Sequence, residues 1–182
     1  MIVWGIDPGQ FKHALAELEV NDQGIRIRQA LSLVHTEMEA CIQSRPRPDL
    51  AIVEETEGTY WNKRRKPGIH QSLRQTRQAE ERLLDLLEER EIPIISLPCA
   101  GNWENPGWRQ RLTGLTRPSE WDVWRELMAQ RRWGQLRGYI PHHPHLIDAI
   151  GMALIGVKIR MQENSLQPPE PTWGLGSLHP GS

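Results

Sequence analysis

Residues 2–9 read Ile-Val-Trp-Gly-Ile-Asp-Pro-Gly, an apolar run that ends in an acidic turn. A short apolar run followed by Pro and Gly is typical of a buried strand stopped by turn chemistry. Asp7 therefore lies at the edge of the predicted core, where a carboxylate is costly unless a partner compensates it. The stretch predicts the first strand of a sheet and marks Asp7 as a candidate functional residue.

The segments that follow predict an antiparallel meander. His13–Val20 has the composition of a second strand, and the Asn-Asp-Gln-Gly sequence at 21–24 is a good turn. A third strand is expected near 25–35, and a short helix is expected at 36–44. Three strands joined by short turns pair with antiparallel neighbours.

The second half of the chain predicts alternating strands and helices. The predicted elements are a strand at 50–53 that runs into Glu54, a helix at about 71–90, a strand at 92–97, a helix from the N-cap Ser119 to about 133, and an almost wholly apolar helix at 146–161. This order predicts an α/β fold. Its mixed five-stranded sheet combines an antiparallel meander with parallel strands and is flanked by helices.

Length and composition predict one globular domain. The chain has 182 residues, of which 38% are hydrophobic and 25% charged. We expect the domain to span 1–164, and a Pro- and Gly-rich tail at 165–182 to be disordered, with last residues compatible with an added expression sequence. No apolar run has membrane-spanning length, and no signal peptide is evident. With only two cysteines, these features predict a cytoplasmic protein.

Charge is unevenly distributed, although the net charge is only −1. Residues 1–57 carry five basic and ten acidic side chains, a net of −5. Residues 61–82 have a net of +5 and residues 108–137 a net of +4. This pattern is compatible with an acidic metal site between two phosphate-binding walls, although charge statistics alone favour a solvated mixture of charges.

Three acidic residues share a setting, because each lies at the boundary of an apolar element. Asp7 ends the first strand, Glu54 ends the fourth, and Asp148 lies in the first turn of the last helix. Taken singly, each has a structural explanation: a turn, a first solvent-facing residue and a helix N-terminus. Taken together, they are hard oxygen ligands of the kind that Mg²⁺ prefers. Two such ions can activate water and stabilise the departing oxygen of a phosphodiester.

Three motifs resemble those of one known family. Residues 2–9 resemble the opening strand of RuvC-type Holliday junction resolvases, whose Gly-Ile-Asp-Pro-Gly carries the first catalytic aspartate. Residues 48–54, Pro-Asp-Leu-Ala-Ile-Val-Glu, are similar to the family's fourth strand. Residues 145–153, His-Leu-Ile-Asp-Ala-Ile-Gly-Met-Ala, resemble its last motif. The resemblance covers about residues 1–161.

The resemblance implies a ribonuclease H-like fold and cleavage of a DNA backbone that depends on Mg²⁺ or Mn²⁺, with two ions in each active site. It also implies 5′-phosphate and 3′-hydroxyl products and a homodimer that makes paired nicks in a four-way junction. Carried over to this sequence, Asp7 would bridge the metals, and Glu54 and Asp148 would complete the carboxylate set.

His145 lies where many members of the family have Asp and some have His. Spaced i and i+3 on a helix, His145 and Asp148 project from one face. An imidazole there would ligate a metal, with a preference for Mn²⁺, or contact the scissile phosphate when protonated. His145 together with His142 and His143 raises a zinc alternative, but the sequence lacks a second ligand cluster with zinc spacing. Glu55 is the reserve for Glu54, since adjacent strand residues point to opposite faces.

Aromatic and basic residues predict a DNA-binding surface. Aromatic rings beside cations suit stacking on an unpaired base with phosphates held nearby. The resemblance implies a junction-contacting loop and helix after the glutamate, and a basic position farther along the chain. The predicted DNA-binding residues are Tyr60, Trp61, Lys63, Arg64, Arg65, Lys66, Arg74, Arg77, Arg109 and Arg111.

The leading prediction is a structure-selective endonuclease for four-way junctions. A broader nuclease for flaps and other branches is the alternative on the same fold. A non-catalytic DNA-binding module would keep the fold without cleavage. An actin-like ATPase shares a related opening strand, but the chain is too short for the paired domains of that class and has no repeated phosphate loop.

Overall fold

The computed structural model describes residues 1–56, 69–102 and 104–166. An antiparallel meander opens the chain, formed by β1 (Ile2–Asp7), β2 (Lys12–Asn21) and β3 (Gly24–Val34). The other elements are α1 (His35–Ser44), β4 (Leu50–Glu55), α2 (Ile69–Glu89), β5 (Ile94–Pro98), α3 (Trp108–Thr113), α4 (Glu120–Arg132), β6 (Leu136–Arg137) and α5 (Pro144–Leu166).

The sheet has the strand order β5-β4-β1-β2-β3-β6. β4 pairs parallel to β1, and β5 pairs parallel to β4, so the predicted mixed α/β sheet is confirmed. The sheet has a sixth strand beyond the five predicted, because β6 pairs parallel to β3. A two-residue strand is too short to leave a periodic pattern, and its pairing depends on the neighbouring strand rather than on its own sequence.

Side chains alternate between two cores on opposite faces of the sheet. Val3 and Ile52 point into the core under α3, α4 and α5. Trp4 and Val53, their neighbours along the strands, point into the core under α1 and α2. Both faces are therefore covered, which explains why β1 and β4 read as continuous apolar runs rather than as alternating ones.

α5 lies directly against β1. A side chain at Gly5 would place its Cβ 2.0 Å from the Ala149 carbonyl oxygen and 2.5 Å from the Ala153 nitrogen. At Gly156, a Cβ would lie 2.7 Å from side-chain atoms of Val3 and Ile52. Glycine at these positions permits the close approach of helix and strand, and that approach carries the start of α5 to the carboxyl end of β1.

The start of α4 agrees with the sequence signal, whereas α5 is longer than the predicted helix at 146–161. Ser119 caps α4: the Asp122 backbone N–H donates to its hydroxyl over 3.3 Å, and its own N–H donates to the Asp122 carboxylate over 2.8 Å. This reciprocal pair satisfies two N–H groups at the helix start. α5 continues through Leu166, two residues past the predicted domain boundary. Among the described residues, no helix is both long and apolar enough to cross a membrane.

Candidate active site

Three carboxylates meet at one edge of the sheet. Asp7, Glu54 and Asp148 each offer an oxygen within 4.8 Å of the others. The topology explains the meeting: β1 and β4 are adjacent parallel strands whose carboxyl ends share an edge, and the first turn of α5 lies over that edge. The three acidic residues singled out from the sequence therefore converge.

Glu54, rather than Glu55, belongs to this cluster. Leu50 and Ile52 on β4 pack toward α5, so alternation directs Glu54 to the same side. Ala51 and Val53 pack toward α1 and α2, and Glu55 continues that series. The choice between the two glutamates depends on which face of β4 the last helix covers.

Burial and mutual repulsion hold protons on the cluster. Asp7 is 8% exposed and Asp148 is 4% exposed. Burial, together with the charges of Asp7 and Asp148, raises the pKa of Glu54 to about 8. Burial raises the pKa of Asp148 to about 6, even though the Arg109 guanidinium beside it acts in the opposite direction. Without a cation, the cluster therefore carries less than its full negative charge at neutral pH.

Each carboxylate is in hydrogen-bond contact with a different side chain from another part of the chain. The Trp108 indole Nε1–H donates to Glu54 Oε2 over 3.2 Å. The Arg109 guanidinium donates to Asp148 Oδ2. His145 Nδ1 lies 2.6 Å from Asp7 Oδ2. These contacts orient the three acids, and they bring the short helix α3 into the site together with α5.

His145 forms the exposed side of the site. Its side chain is 65% exposed, in contrast to the 10% of Asp7 beneath it. The hydrogen bond to Asp7 raises the pKa of His145, which favours the imidazolium form. With Nδ1 engaged by Asp7, Nε2 is the ring nitrogen left to face an incoming ligand. His143 lies 5.7 Å from His145 between ring centroids, and His142 lies 5.9 Å from the Trp124 ring.

The donor set fits a divalent metal ion. Three carboxylates supply hard oxygen ligands at one point, as Mg²⁺ and Mn²⁺ require. Asp148 Oδ1 is buried and has no hydrogen-bond partner, so one ligand oxygen of the cluster is unsatisfied. A buried unsatisfied carboxylate oxygen is costly, and a cation would satisfy it.

The predicted DNA-binding residues divide into three groups. Six of them, Tyr60, Trp61, Lys63, Arg64, Arg65 and Lys66, lie outside the described residues. Arg74 and Arg77 are exposed on α2, on the opposite face of the sheet from α3 and α5.

The third group consists of Arg109 and Arg111, which both lie on α3 but make different contacts. Arg109 contacts Asp148 within the carboxylate cluster. Arg111 donates from Nε to the Pro106 carbonyl over 2.7 Å and from a terminal nitrogen to Asn105 Oδ1 over 3.2 Å. Arg109 thus faces the acids, whereas Arg111 braces the loop that precedes α3.

Two residues near the site were not identified from the sequence. Trp108 is fully buried and bonds to Glu54. Burial and the Glu54 charge raise the pKa of the Cys99 thiol to about 12, so the thiol stays protonated beside the cluster. For Trp108, the sequence does contain a signal. Pro106-Gly107 precedes an amphipathic Trp-Arg-Gln-Arg-Leu, which indicates the start of a short helix.

Comparison with known proteins identifies the fold. No protein-family profile matches the chain, and no curated protein sequence matches it significantly. Among solved structures, Thermus thermophilus RuvC in complex with a Holliday junction substrate matches with a TM-score of 0.64. The identity is 21%, over 89% of this chain and 96% of that chain. Another structure of Thermus thermophilus RuvC matches with a TM-score of 0.62 and 21% identity, over 89% of this chain and 97% of that chain.

A more distant structure agrees. The yeast mitochondrial Holliday junction resolvase matches with a TM-score of 0.58 and 13% identity, over 90% of this chain and 80% of that chain. The chain therefore has the ribonuclease H-like α/β fold. Within that class it has the arrangement of the RuvC-type resolvases, and the resemblance inferred from three sequence motifs is confirmed at the level of the fold.

Proposed function

We propose that the chain is a metal-dependent endodeoxyribonuclease that resolves four-way (Holliday) DNA junctions. The observation that carries the proposal is the convergence of Asp7, Glu54 and Asp148 within 4.8 Å at the carboxyl edge of the sheet. The fold of RuvC-type resolvases supports the choice of substrate. A fold alone does not establish an activity, so the carboxylate cluster is the stronger of the two arguments.

Asp7, Glu54 and Asp148 would hold Mg²⁺ or Mn²⁺, and the resemblance to resolvases favours two ions. Bound there, the metal would lower the pKa of a water molecule and stabilise the charge on the departing oxygen. Hydrolysis forms a bond from the water oxygen to phosphorus and breaks the bond from phosphorus to the 3′ oxygen. The products are a 5′-phosphate and a 3′-hydroxyl, and the protons of the attacking water pass to solvent and to the 3′ oxygen.

His145 has the position and charge to bind the scissile phosphate. Asp7 orients its ring through Nδ1, and the same contact raises its pKa. The exposed Nε2 is then free to donate a hydrogen bond to a non-bridging phosphate oxygen. Trp108, through its bond to Glu54, keeps that carboxylate in place while the DNA is bound.

The junction would be held by the basic and aromatic residues predicted from the sequence. Tyr60 and Trp61 are proposed to stack on unpaired bases at the junction centre, with Arg74 and Arg77 on phosphates. Replacing both aromatics with Ala is expected to weaken junction cleavage by roughly tenfold or more, at about 1–3 kcal/mol for each stacked base. Unchanged cleavage kinetics on a four-way junction would remove this assignment.

The decisive experiment is cleavage of a labelled synthetic four-way junction, with linear duplex alongside, in Mg²⁺, Mn²⁺ or EDTA. The wild type should make paired nicks in the junction only, and only with metal. Asp7→Asn and Glu54→Gln should abolish cleavage, whereas Glu55→Gln is the matched control, because Glu55 lies on the opposite face of β4.

Other outcomes correspond to the alternatives. Equal cutting of junction, flap and duplex would indicate a broader nuclease on the same fold. Tight junction binding without cutting would indicate a DNA-binding module. The proposed homodimer is tested separately: light scattering should give twice the mass of one 21.0 kDa chain.

A further inference from the structure

Arg109 lies at the carboxylate cluster with its charge directed at Asp148. The two side chains form an ion pair in which Arg109 is 17% exposed and Asp148 is 6% exposed. The guanidinium carbon lies 5.3 Å from the centroid of the Trp108 ring, and Nε is buried without a hydrogen-bond partner. Arg109 is therefore held by one strong contact to the acid and by few others.

A divalent cation and the Arg109 guanidinium would compete for the Asp148 carboxylate. The cation would bind Asp148 as one of its three carboxylate ligands. Two positive groups on one buried carboxylate repel each other strongly, because little solvent screens them. Occupation of the site by metal should therefore displace Arg109 from Asp148, or at least weaken their contact.

The structure offers Arg109 a second position. Arg109 also lines a cleft of about 730 Å³ between the loop after β5 and the α3–α4 connection. Arg117 lines the same cleft, and no acidic residue is found among its described lining residues. Within the described parts of the chain, Arg117 forms no ion pair. Two arginines without a carboxylate suit a phosphate group.

The wall of this cleft is already ordered. Gln110 Oε1 accepts from the Gly101 N–H over 2.8 Å and from the Gly107 N–H over 2.7 Å, and so ties the loop after β5 to α3. Gln110 Nε2 donates to the Thr116 carbonyl over 2.9 Å, which ties the α3–α4 connection to the same side chain. The cleft therefore does not have to form when a ligand arrives.

We propose that Arg109 is an exchangeable counter-ion that links metal binding to DNA binding. Without metal it neutralises Asp148. When the cation binds, Arg109 moves to a phosphate of the DNA backbone in the cleft beside Arg117. The inference rests on the proposed function, because it takes the carboxylates as metal ligands and DNA as substrate. Since linkage is reciprocal, DNA in the cleft should also strengthen metal binding.

The first test is calorimetric titration of Mn²⁺ into the protein without DNA. Arg109→Gln removes the competing charge and should bind Mn²⁺ roughly tenfold more tightly than the wild type. Arg109→Lys keeps the charge and should stay near the wild type. Arg26→Gln is the charge-matched control, because Arg26 is exposed at the opposite end of the sheet from Asp7. Equal or weaker Mn²⁺ binding by Arg109→Gln would overturn the proposal.

The second test measures binding of a four-way junction with Ca²⁺ or with EDTA. Ca²⁺ takes carboxylate ligands and serves here as a substitute for the catalytic ion. Wild-type protein should bind the junction about tenfold more tightly with Ca²⁺, in the usual range of a coupling between sites. Arg109→Gln should lose most of that gain, and Arg26→Gln should keep it. An undiminished gain in Arg109→Gln would rule out the phosphate half of the exchange.

A measurement on the wild type does not depend on the folding of a variant. The Arg109 Nε–H resonance, observed with isotope-labelled arginine and assigned from Arg109→Lys, should shift when Mg²⁺ is added. A resonance that stays in place at saturating Mg²⁺ would contradict the exchange. If the wild type neither binds Mn²⁺ nor cuts DNA, the proposed function fails. If it does both and Arg109 shows no competition, only this inference fails.

Discussion

Each of the three carboxylates contacts a different side chain. Asp7 contacts His145, Glu54 accepts from Trp108, and Asp148 accepts from Arg109. Gathering three carboxylates in a poorly solvated place opposes their ionisation, and the raised pKa values of Glu54 and Asp148 follow from it. At the residue scale, ionisation of all three acids is therefore unfavourable in the metal-free site, and a bound cation would stabilise the ionised forms.

The metal-free protein should lose stability as the pH rises from 6.5 to 8. Folded Glu54, with a pKa of about 8, keeps a proton that an unfolded glutamate of pKa 4.5 has already lost. The folded state then binds more protons, so the free energy of unfolding falls by at most about 1.4 kcal/mol per pH unit for one proton. The raised pKa of His145 acts in the same direction. Thermal unfolding in EDTA measures the effect.

The pH window excludes two other titrating groups, and the variants separate Glu54 from His145. Burial lowers the pKa of His13 to about 4, so the unfolded state binds its proton more readily than the folded state does. The free energy of unfolding therefore rises with pH between 4 and 6.5 and changes little above 6.5 on account of His13. Asp148, with a pKa of about 6, has largely titrated below this window. Glu54→Gln should reduce the slope to the part that His145 contributes, and Glu55→Gln should leave it unchanged. A flat wild-type profile would show that Glu54 is ionised in the folded protein.

His145 is expected to contribute to the cleavage step. His145→Ala should slow cleavage by roughly 10- to 100-fold, because a hydrogen bond to the charged phosphate, of about 1.5–3 kcal/mol, would be lost. His145→Asp lacks the positive charge and the N–H donor, so it should recover none of that rate. Single-turnover kinetics on a four-way junction measure both. An unchanged cleavage rate in His145→Ala would contradict the proposed role of His145.

At the scale of elements, the contact of α5 with β1 positions the third carboxylate. Gly5 leaves room for the backbone of α5 at Ala149 and Ala153. Asp148 directly precedes Ala149, so a shift of the helix moves this carboxylate away from Asp7. The packing of one strand against one helix therefore controls the geometry of the site.

Gly5→Ala should destabilise the fold by about 1–3 kcal/mol and reduce metal binding at the same time. The added methyl group would meet backbone atoms of α5, which cannot move aside as a flexible side chain does. Urea unfolding gives the stability change, and Mn²⁺ titration gives the effect on the site.

Ser32→Ala serves as the control for Gly5→Ala. Ser32 is exposed on β3, and its replacement should change the free energy of unfolding by no more than about 0.5 kcal/mol. If Gly5→Ala were as stable as this control, α5 would have to lie farther from β1 than in the structure.

At the scale of the whole molecule, the site exists only in the folded chain. Its carboxylates come from β1, β4 and α5, and the sheet order places β1 between β4 and β2. A ligand that needs all three groups binds the folded state and not the unfolded one, so it stabilises the protein by mass action.

Mn²⁺ should accordingly raise the unfolding temperature. At a concentration 100 times its Kd, the expected stabilisation is about 2.7 kcal/mol. Asp7→Asn should lose most of this gain, whereas Glu55→Gln should keep it. Thermal scans with and without Mn²⁺ measure the effect. A gain of the same size in Asp7→Asn would indicate that the cation binds elsewhere.

Much of the fold was predictable because its signals are local. The run at 2–6 ended by Asp7-Pro8-Gly9 predicted β1, and Ser119 predicted the start of α4. β6 and α3 were not predicted, since two and six residues are too few to establish a period. The six predicted DNA-binding residues between 60 and 66 lie outside the described residues, so that assignment stays a prediction.

The sequence by itself determined the three acids and the elements that carry them, because turn chemistry, apolar runs and the resemblance of the motifs all depend on neighbours along the chain. Only the tertiary structure decided that Glu54 faces the site, that Trp108 and Arg109 enter it, and that the pKa of Glu54 is raised to about 8. These properties depend on burial and on contacts between residues far apart in sequence, and both arise only when α5 packs against the sheet and α3 packs against α5.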